Sequence, residues 1–234
     1  MPLNRKGIVI LALIITVACS AFFCGWQYQA STRPATTQVD TVFQLGAFNT
    51  FSTGKYSGVM PYSELEQYGN FGIGTFDGLN GEMIAFDGVF YQIPSNGTPQ
   101  IAESTQTSPH ATVTYFNPDL TYSISDLNYT GLQHYLDSKL SATQDAIYAI
   151  KIVGNFSFIQ ARSPMVQSEP YPDLNEALKT QGIFNFSDVA ATAVGYWFPS
   201  SMNGIAPAGY HLHIITQDRT AGGHLLECNI TSAT

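Results

Sequence analysis

Three of the chain's five histidines, His211, His213 and His224, fall within fourteen residues, and their spacing restricts how this part can fold. Residues two apart on a strand point to the same face, so His211-Leu212-His213 presents two imidazoles side by side. A turn at Asp218-Arg219, aided by Gly222-Gly223, brings His224 back roughly opposite His213. Three neutral imidazoles on one face of a hairpin make a metal site with coordination positions left open, the arrangement of catalytic zinc rather than of a closed structural site. The competing reading is a polar strand face carrying solvated histidines. Cys228 shares its parity with His224, but four residues along a strand span about 13 Å, too far to ligate the same ion. His110 and His134 stand alone in the sequence and read as structural.

The N-terminus reads as a membrane address. Gly7 to Trp26 is twenty residues without a charge, preceded by Arg5 and Lys6. A helix of that length spans about 30 Å of hydrocarbon, and the positive-inside rule places the rest of the chain outside the cytoplasmic membrane. Residues 7–26 are then either a retained anchor or a secretory signal, and Ala18 and Ser20 are small enough to permit cleavage. The expected organisation is a signal or anchor with its linker over 1–36, an N-terminal mixed-sheet part over 37–145, and a C-terminal sheet part over 146–234 that carries the metal site.

The body is acidic. With Arg5, Lys6 and Arg33 set aside, six basic residues face all 17 acidic ones, a net charge of −11. Such a surface repels phosphate backbones, so nucleic acid is excluded as a partner. The glycines of Tyr68 to Thr75 lack the strand-loop-helix context of a phosphate cradle, which excludes nucleotide binding on that motif. Cys228 is the one cysteine of the body, so no disulfide forms within it. Five Asn-x-Ser/Thr triplets, beginning at Asn96, Asn128, Asn155, Asn185 and Asn229, are of the kind an Asn- and Thr-rich chain produces by chance.

The patterning is strand-rich, with isolated short helices, and predicts a mixed α/β or α+β fold. Asp87-Gly88 tolerates the positive φ angles of a tight turn, which predicts a hairpin of Met83–Phe86 and Val89–Ile93. Ala111–Phe116, Ala146–Val153, Asn155–Ala161, Val189–Phe198, Tyr210–Thr216 and Gly223–Ile230 read as further strands, with a break at Gly154. Ser63-x-x-Glu66 predicts a capped helix stopped by Gly69, and Asp173-x-x-Glu176 opens another that Gly182 ends. Leu132, Leu136 and Leu140 recur at helical spacing, so Thr130–Leu140 lays an apolar stripe on a sheet. Glu82 precedes the apolar run Met83-Ile84-Ala85-Phe86, where a carboxylate is costly unless paired or useful. Arg162 ends an apolar strand. On spacing alone both also read as ordinary surface charges.

The run YGNFGIGTFDGLNGEMIAFDGVF, Tyr68 to Phe90, closely resembles the α-acetolactate decarboxylases of bacteria and archaea. The resemblance continues through Ile159-Gln160-Ala161-Arg162-Ser163, Gly209-Tyr210-His211-Leu212-His213, Asp218-Arg219 and Gly222-Gly223-His224, in order and with compatible spacing. It implies two mixed β-sheet subdomains, a homodimer, zinc held by His211, His213 and His224, and a pocket lined by Thr75, Glu82 and Arg162. The implied reaction converts (S)-2-acetolactate to (R)-acetoin and CO2. The departing carboxylate leaves its charge on the neighbouring ketone oxygen, so the substrate is its own electron sink and no organic cofactor is expected. Arg162 is expected to orient the carboxylate, and Glu82 to act as the acid/base group. Members of the family usually extend some tens of residues past the third histidine and return acidic side chains to the pocket. Thr234 lies ten residues after His224, so the expectation is that turnover suffers more than metal binding. Two alternatives stand beside this reading: a catalytically impaired, membrane-tethered member of the same family, and a cupin-like metalloenzyme, whose remaining ligand motif is absent.

Overall fold

The computed structural model describes residues 40–140 and 145–234. The expected anchor or signal over 7–26 lies outside the described residues. Among those described, no helix is long and apolar enough to cross a membrane.

In chain order the first nine strands are β1 (Val42–Leu45), β2 (Met60–Pro61), β3 (Phe71–Thr75), β4 (Glu82–Phe86), β5 (Val89–Ile93), β6 (Gln100–Ile101), β7 (Thr107–Ser108), β8 (Ala111–Thr114) and β9 (Ile124–Asn128). Four longer ones follow: β10 (Tyr148–Ser163), β11 (Gly182–Phe198), β12 (Gly209–Thr216) and β13 (Gly222–Ala233). The α-helices are α1 (Phe48–Phe51), α2 (Tyr62–Leu65), α3 (Tyr129–Leu140) and α4 (Leu174–Ala177). One sheet has the order β1-β8-β3-β4-β5-β6 and the other β10-β11-β12-β13-β9, with β2 and β7 forming a separate ribbon.

The strand-rich α/β class is as expected. Within each sheet, however, the strand pairings are antiparallel rather than mixed. Parallel neighbours need long crossovers, whereas β3–β4, β4–β5, β5–β6 and β12–β13 are joined by connections of only a few residues. The β4–β5 hairpin forms on Asp87 and Gly88, whose φ angles are 52° and 79°, with Phe86 opposite Val89. Those two positive values are what a type I′ turn demands.

The second sheet closes on itself. β10 pairs with β11 along its length, β11 with β12 and β12 with β13, and β13 returns to pair with β10. β10 runs unbroken through Gly154, so the expected break there is not found. A Cβ on Gly154 would lie 2.2 Å from the Ser232 carbonyl oxygen, which shows that the glycine admits β13 instead of ending a strand. β9 and α3 precede residue 146, yet β9 extends β13 and α3 packs its Leu132, Leu136 and Leu140 on this second sheet. The sheets therefore divide the chain between Thr114 and Ile124, earlier than the expected boundary at 145.

Alternation along each strand sets which side chains meet. On β4, Ile84 and Phe86 join Phe71, Ile73, Val194, Tyr196 and Ile215 in the core between the sheets, whereas Met83 and Ala85 face the opposite way with Tyr62 and Leu65 of α2. On β12, Leu212 and Ile214 face α3, so His211, His213 and Ile215 face the first sheet. Asp173 caps α4 as expected, accepting from the Glu176 amide at 3.0 Å. Ser63 does not cap α2. That helix starts at Tyr62 after Pro61, so Ser63 already lies inside its first turn.

Candidate metal centre

The hairpin of β12 and β13 builds the centre of the site. His213 and His224 are direct cross-strand partners, and the turn between them contains Asp218 and Arg219, the latter at φ 60°. Asp218 Oδ1 accepts from the Thr216 hydroxyl at 2.7 Å and from the Thr220 amide at 3.1 Å, closing the turn. Gly222 and Gly223 lie past the turn, on β13 itself, and have another task. Gly223 has φ 150°, and a Cβ there would come within 2.4 Å of the Arg162 carbonyl oxygen. The glycines let β10 and β12 close around the strand that carries His224.

His211, His213 and His224 offer one ligand nitrogen each, and these lie within 4.8 Å of one another. Their ring centroids are 4.9–5.3 Å apart. His213, only 1% exposed, sits deepest, while His211 and His224 are partly exposed and mark the open side. His213 Nδ1 lies 2.7 Å from the Met83 carbonyl oxygen. A carbonyl only accepts, so Nδ1 carries the hydrogen and Nε2 presents a lone pair. That Nε2 is buried without a hydrogen-bond partner. A buried nitrogen left unsatisfied beside two further imidazoles is what a divalent cation would complete, so the residues fit the implied metal. Burial, helped by the neighbouring rings and by Arg162, holds His211 and His224 well below the ordinary histidine value. Burial likewise pulls His213 down to about 4, with Arg162 adding to the effect and the Met83 bond opposing it. All three are neutral at pH 7, the form that ligates.

The first sheet faces this cluster with Glu82, 8% exposed, at the start of β4. Its Oε2 is 3.4 Å from His213 Nε2. Burial pushes the carboxyl up to about 8, against a partial opposing pull from Arg162, so it holds a proton near neutrality. Thr75 is the cross-strand partner of Glu82 and is also buried. Its hydroxyl donates to the Gly81 carbonyl at 2.6 Å, bracing the turn that delivers Glu82. Arg162 is the cross-strand partner of His224, and its Nη1 donates to Gln181 Oε1 at 3.2 Å. The structure thus brings together all six residues singled out from sequence. Spacing offered no signal for Gln181 or for the Met83 carbonyl, because both contacts depend on how distant segments pack.

Cys228 is excluded for a reason other than distance. The pairing with β10 shifts register between Gln160 and Ala161, and this bulge turns both Leu225 and Cys228 toward the α3 core, away from the imidazoles. Burial raises its thiol to about 12, so it is also unreactive. His110 stacks on Phe51 at 4.8 Å, and its Nδ1 lies 3.1 Å from the Leu45 carbonyl oxygen, a packing role outside the cluster.

Comparison with known proteins agrees with this architecture. An α-acetolactate decarboxylase of Methanosarcina mazei is 43% identical over 189 residues, covering 80% of this chain and 65% of that relative's length. The Bacillus subtilis enzyme of the same name is 39% identical over 199 residues, covering 82% of this chain and 78% of its own. The crystal structure of α-acetolactate decarboxylase from Bacillus subtilis superposes with a TM-score of 0.80, covering 82% of each chain. The family model for α-acetolactate decarboxylase matches residues 42–234, a span that holds both sheets and every residue of the centre. The cupin-like alternative therefore falls, and the chain belongs to the α-acetolactate decarboxylase family, a family of carboxy-lyases.

Proposed function

We propose that this chain decarboxylates (S)-2-acetolactate to (R)-acetoin and CO2, with one zinc ion held by His211, His213 and His224. The observation that carries the reading is the pairing of His213 with His224, which sets three neutral imidazoles against a protonated Glu82 and a guanidinium from Arg162. A bound divalent ion supplies Lewis-acid stabilisation for the negative charge that reaches the ketone oxygen as the carboxylate leaves.

The chain's own groups do the rest. The guanidinium of Arg162 holds the substrate carboxylate through paired N–H donors, fixing the bond that breaks relative to the ketone. The carbon that loses CO2 must gain one proton. Glu82 carries a proton at neutral pH and donates it from one side only, which gives the product one handedness, and solvent then restores it. Burial between two sheets keeps bulk water from competing for that step.

We further propose, from the uncharged segment behind Arg5 and Lys6, that the enzyme works outside the cytoplasmic membrane, and, from the family resemblance, as a homodimer. The test of the activity is direct. The full chain, loaded with zinc, is given racemic acetolactate, and acetoin is measured by chiral chromatography. One enantiomer of acetoin is expected. Zinc-loaded protein that forms none would instead be the catalytically impaired member of the family.

A further inference from the structure

We infer that Gln181 is a positioning residue which turns the Arg162 guanidinium side-on to the site, so that its Nε–Nη2 edge receives the substrate carboxylate. The inference rests on the function proposed above and adds the orientation of the arginine. Arg162 Nη1 donates to Gln181 Oε1 at 3.2 Å. Nη1 lies on the edge of the guanidinium away from the Nε–H, so this bond leaves the opposite edge free. On that edge Nε is buried and has no hydrogen-bond partner. A buried donor without a partner is costly, and native structures leave one chiefly where a ligand pairs with it. The ion pairs among the described residues join Lys151 to Asp87 and Lys179 to Glu176, and none involves Arg162. Its charge is thus left for a ligand, and the side-on edge is the pair of parallel donors that a carboxylate accepts.

The choice of side chain at 181 follows from the same geometry. Residue 181 immediately precedes β11, whose Gly182 and Ile183 pair with Ser163 and Arg162, so it stands beside the arginine's strand. A carboxylate there would form an ion pair with Arg162 and compete with the substrate. An amide oxygen accepts the bond without neutralising the guanidinium.

The test uses the zinc-loaded full chain and Gln181→Met, which keeps the length of the side chain but loses the amide acceptor. Two ligands are compared by calorimetry: 2-hydroxy-2-methylbutanoate, which has the carboxylate but no ketone to drive decarboxylation, and acetoin, which has no carboxylate. The expected result is that Gln181→Met binds the hydroxy acid about tenfold more weakly, the scale of one hydrogen bond to a charged group, and acetoin within about twofold of wild type. KM for acetolactate should rise by a similar factor. Equal weakening of both ligands, or no weakening of either, overturns the inference. Should Gln181→Met fail to fold, Gln181→Asn, which withdraws the amide by one methylene, is read in the same way. Wild-type protein that binds the hydroxy acid but releases no acetoin would count against the proposed reaction and leave the binding comparison decisive for Gln181.

Discussion

The two sheets reach the site by different routes. The second supplies three imidazoles from one hairpin, within fourteen residues of chain, and one more residue, Arg162, from the strand that closes around it. The first supplies a single carboxyl and a backbone carbonyl, and the Met83 carbonyl meets His213 across 130 positions of sequence. The hairpin brings ligands together by local geometry, so a register of one pair suffices to assemble it. The Glu82 side depends on the core between the sheets, where Ile84 and Phe86 on the same face of β4 pack against Val194, Tyr196 and Ile215. The first arrangement concentrates metal-binding power, and the second adds a proton whose position follows the packing of the whole body.

That contrast is most strongly tested by His213→Ala. His213 is the deepest ligand and the one that joins the sheets, so zinc should fall from about one per chain to near none, with acetoin formation falling to background. Metal analysis beside the wild type decides it. Retention of stoichiometric zinc would move the centre away from the hairpin.

Arg162→Lys comes next. It keeps the charge and removes the two-pronged geometry, and a displaced reacting group costs about 10²-fold in kcat/KM. Zinc content and the thermal melt should stay close to wild type. Near-normal turnover would reduce Arg162 to a point charge and dissolve the distinction between the strand that ligates and the strand that orients.

A smaller effect compares one glycine from each of the two hairpins. Gly88 has φ 79°, and a methyl placed on it would meet nothing within 4 Å, so Gly88→Ala meets backbone strain alone, about 1 kcal/mol. Gly223 combines φ 150° with a methyl that would lie 2.4 Å from the Arg162 carbonyl oxygen. Gly223→Ala should cost about 2–3 kcal/mol and also weaken zinc binding, because His224 follows directly. Urea melts and zinc titrations of both variants check this, and equal costs would mean β10 yields easily to the added methyl.

These examples also show what can be read from sequence. Asp87-Gly88, the Asp173 cap, the leucines of α3 and the pairing of His213 with His224 are local patterns, each decided by neighbours within about four residues or one short turn. Ser63 misled because the helix is capped at Pro61 and starts two residues earlier than the capping motif implies. β1, β3 and β9 passed without a strand reading. β1 and β9 are short, and Gly72 and Gly74 interrupt β3, so their assignment rests on partners far along the chain. Gly154 read as a strand break and Gly223 as an aid to the turn, and only the closed sheet reveals that they admit close contacts with β13 and β10. The bulge beside Leu225 reversed the parity of Cys228, a change no period-two count can anticipate. Glu82, Arg162 and Thr75 were recognised through family motifs, not through spacing, since nothing local ties them to the histidines.

The least conspicuous difference between the two sides is in protons, and calorimetry can separate them. The apoprotein is titrated with zinc at pH 6 in buffers of different ionisation enthalpy, which gives the number of protons released. Three solvated histidines with the ordinary value of 6.5 would be mostly protonated at that pH and release about two protons on binding. Here burial keeps all three well below that value, with His213 at about 4, so the hairpin should release almost none. Glu82 is the reverse case. An ordinary carboxyl at 4.5 would already be ionised at pH 6, whereas burial holds this one protonated up to about 8. The proposed donor must keep that proton with the metal bound, so the wild type, like Glu82→Gln, should release almost none. The same shifts act on the apoprotein's stability in opposite directions. Glu82 contributes stability that is fully present below 4.5 and lost as pH rises through about 8, while that of His213 is present above 6.5 and lost as pH falls toward about 4. Release of about two protons by Glu82→Gln would mean the imidazoles are hydrated before the metal arrives. Release of about one proton by the wild type but none by Glu82→Gln would mean that Glu82 ionises beside the ion, and another group would then have to deliver the proton to substrate.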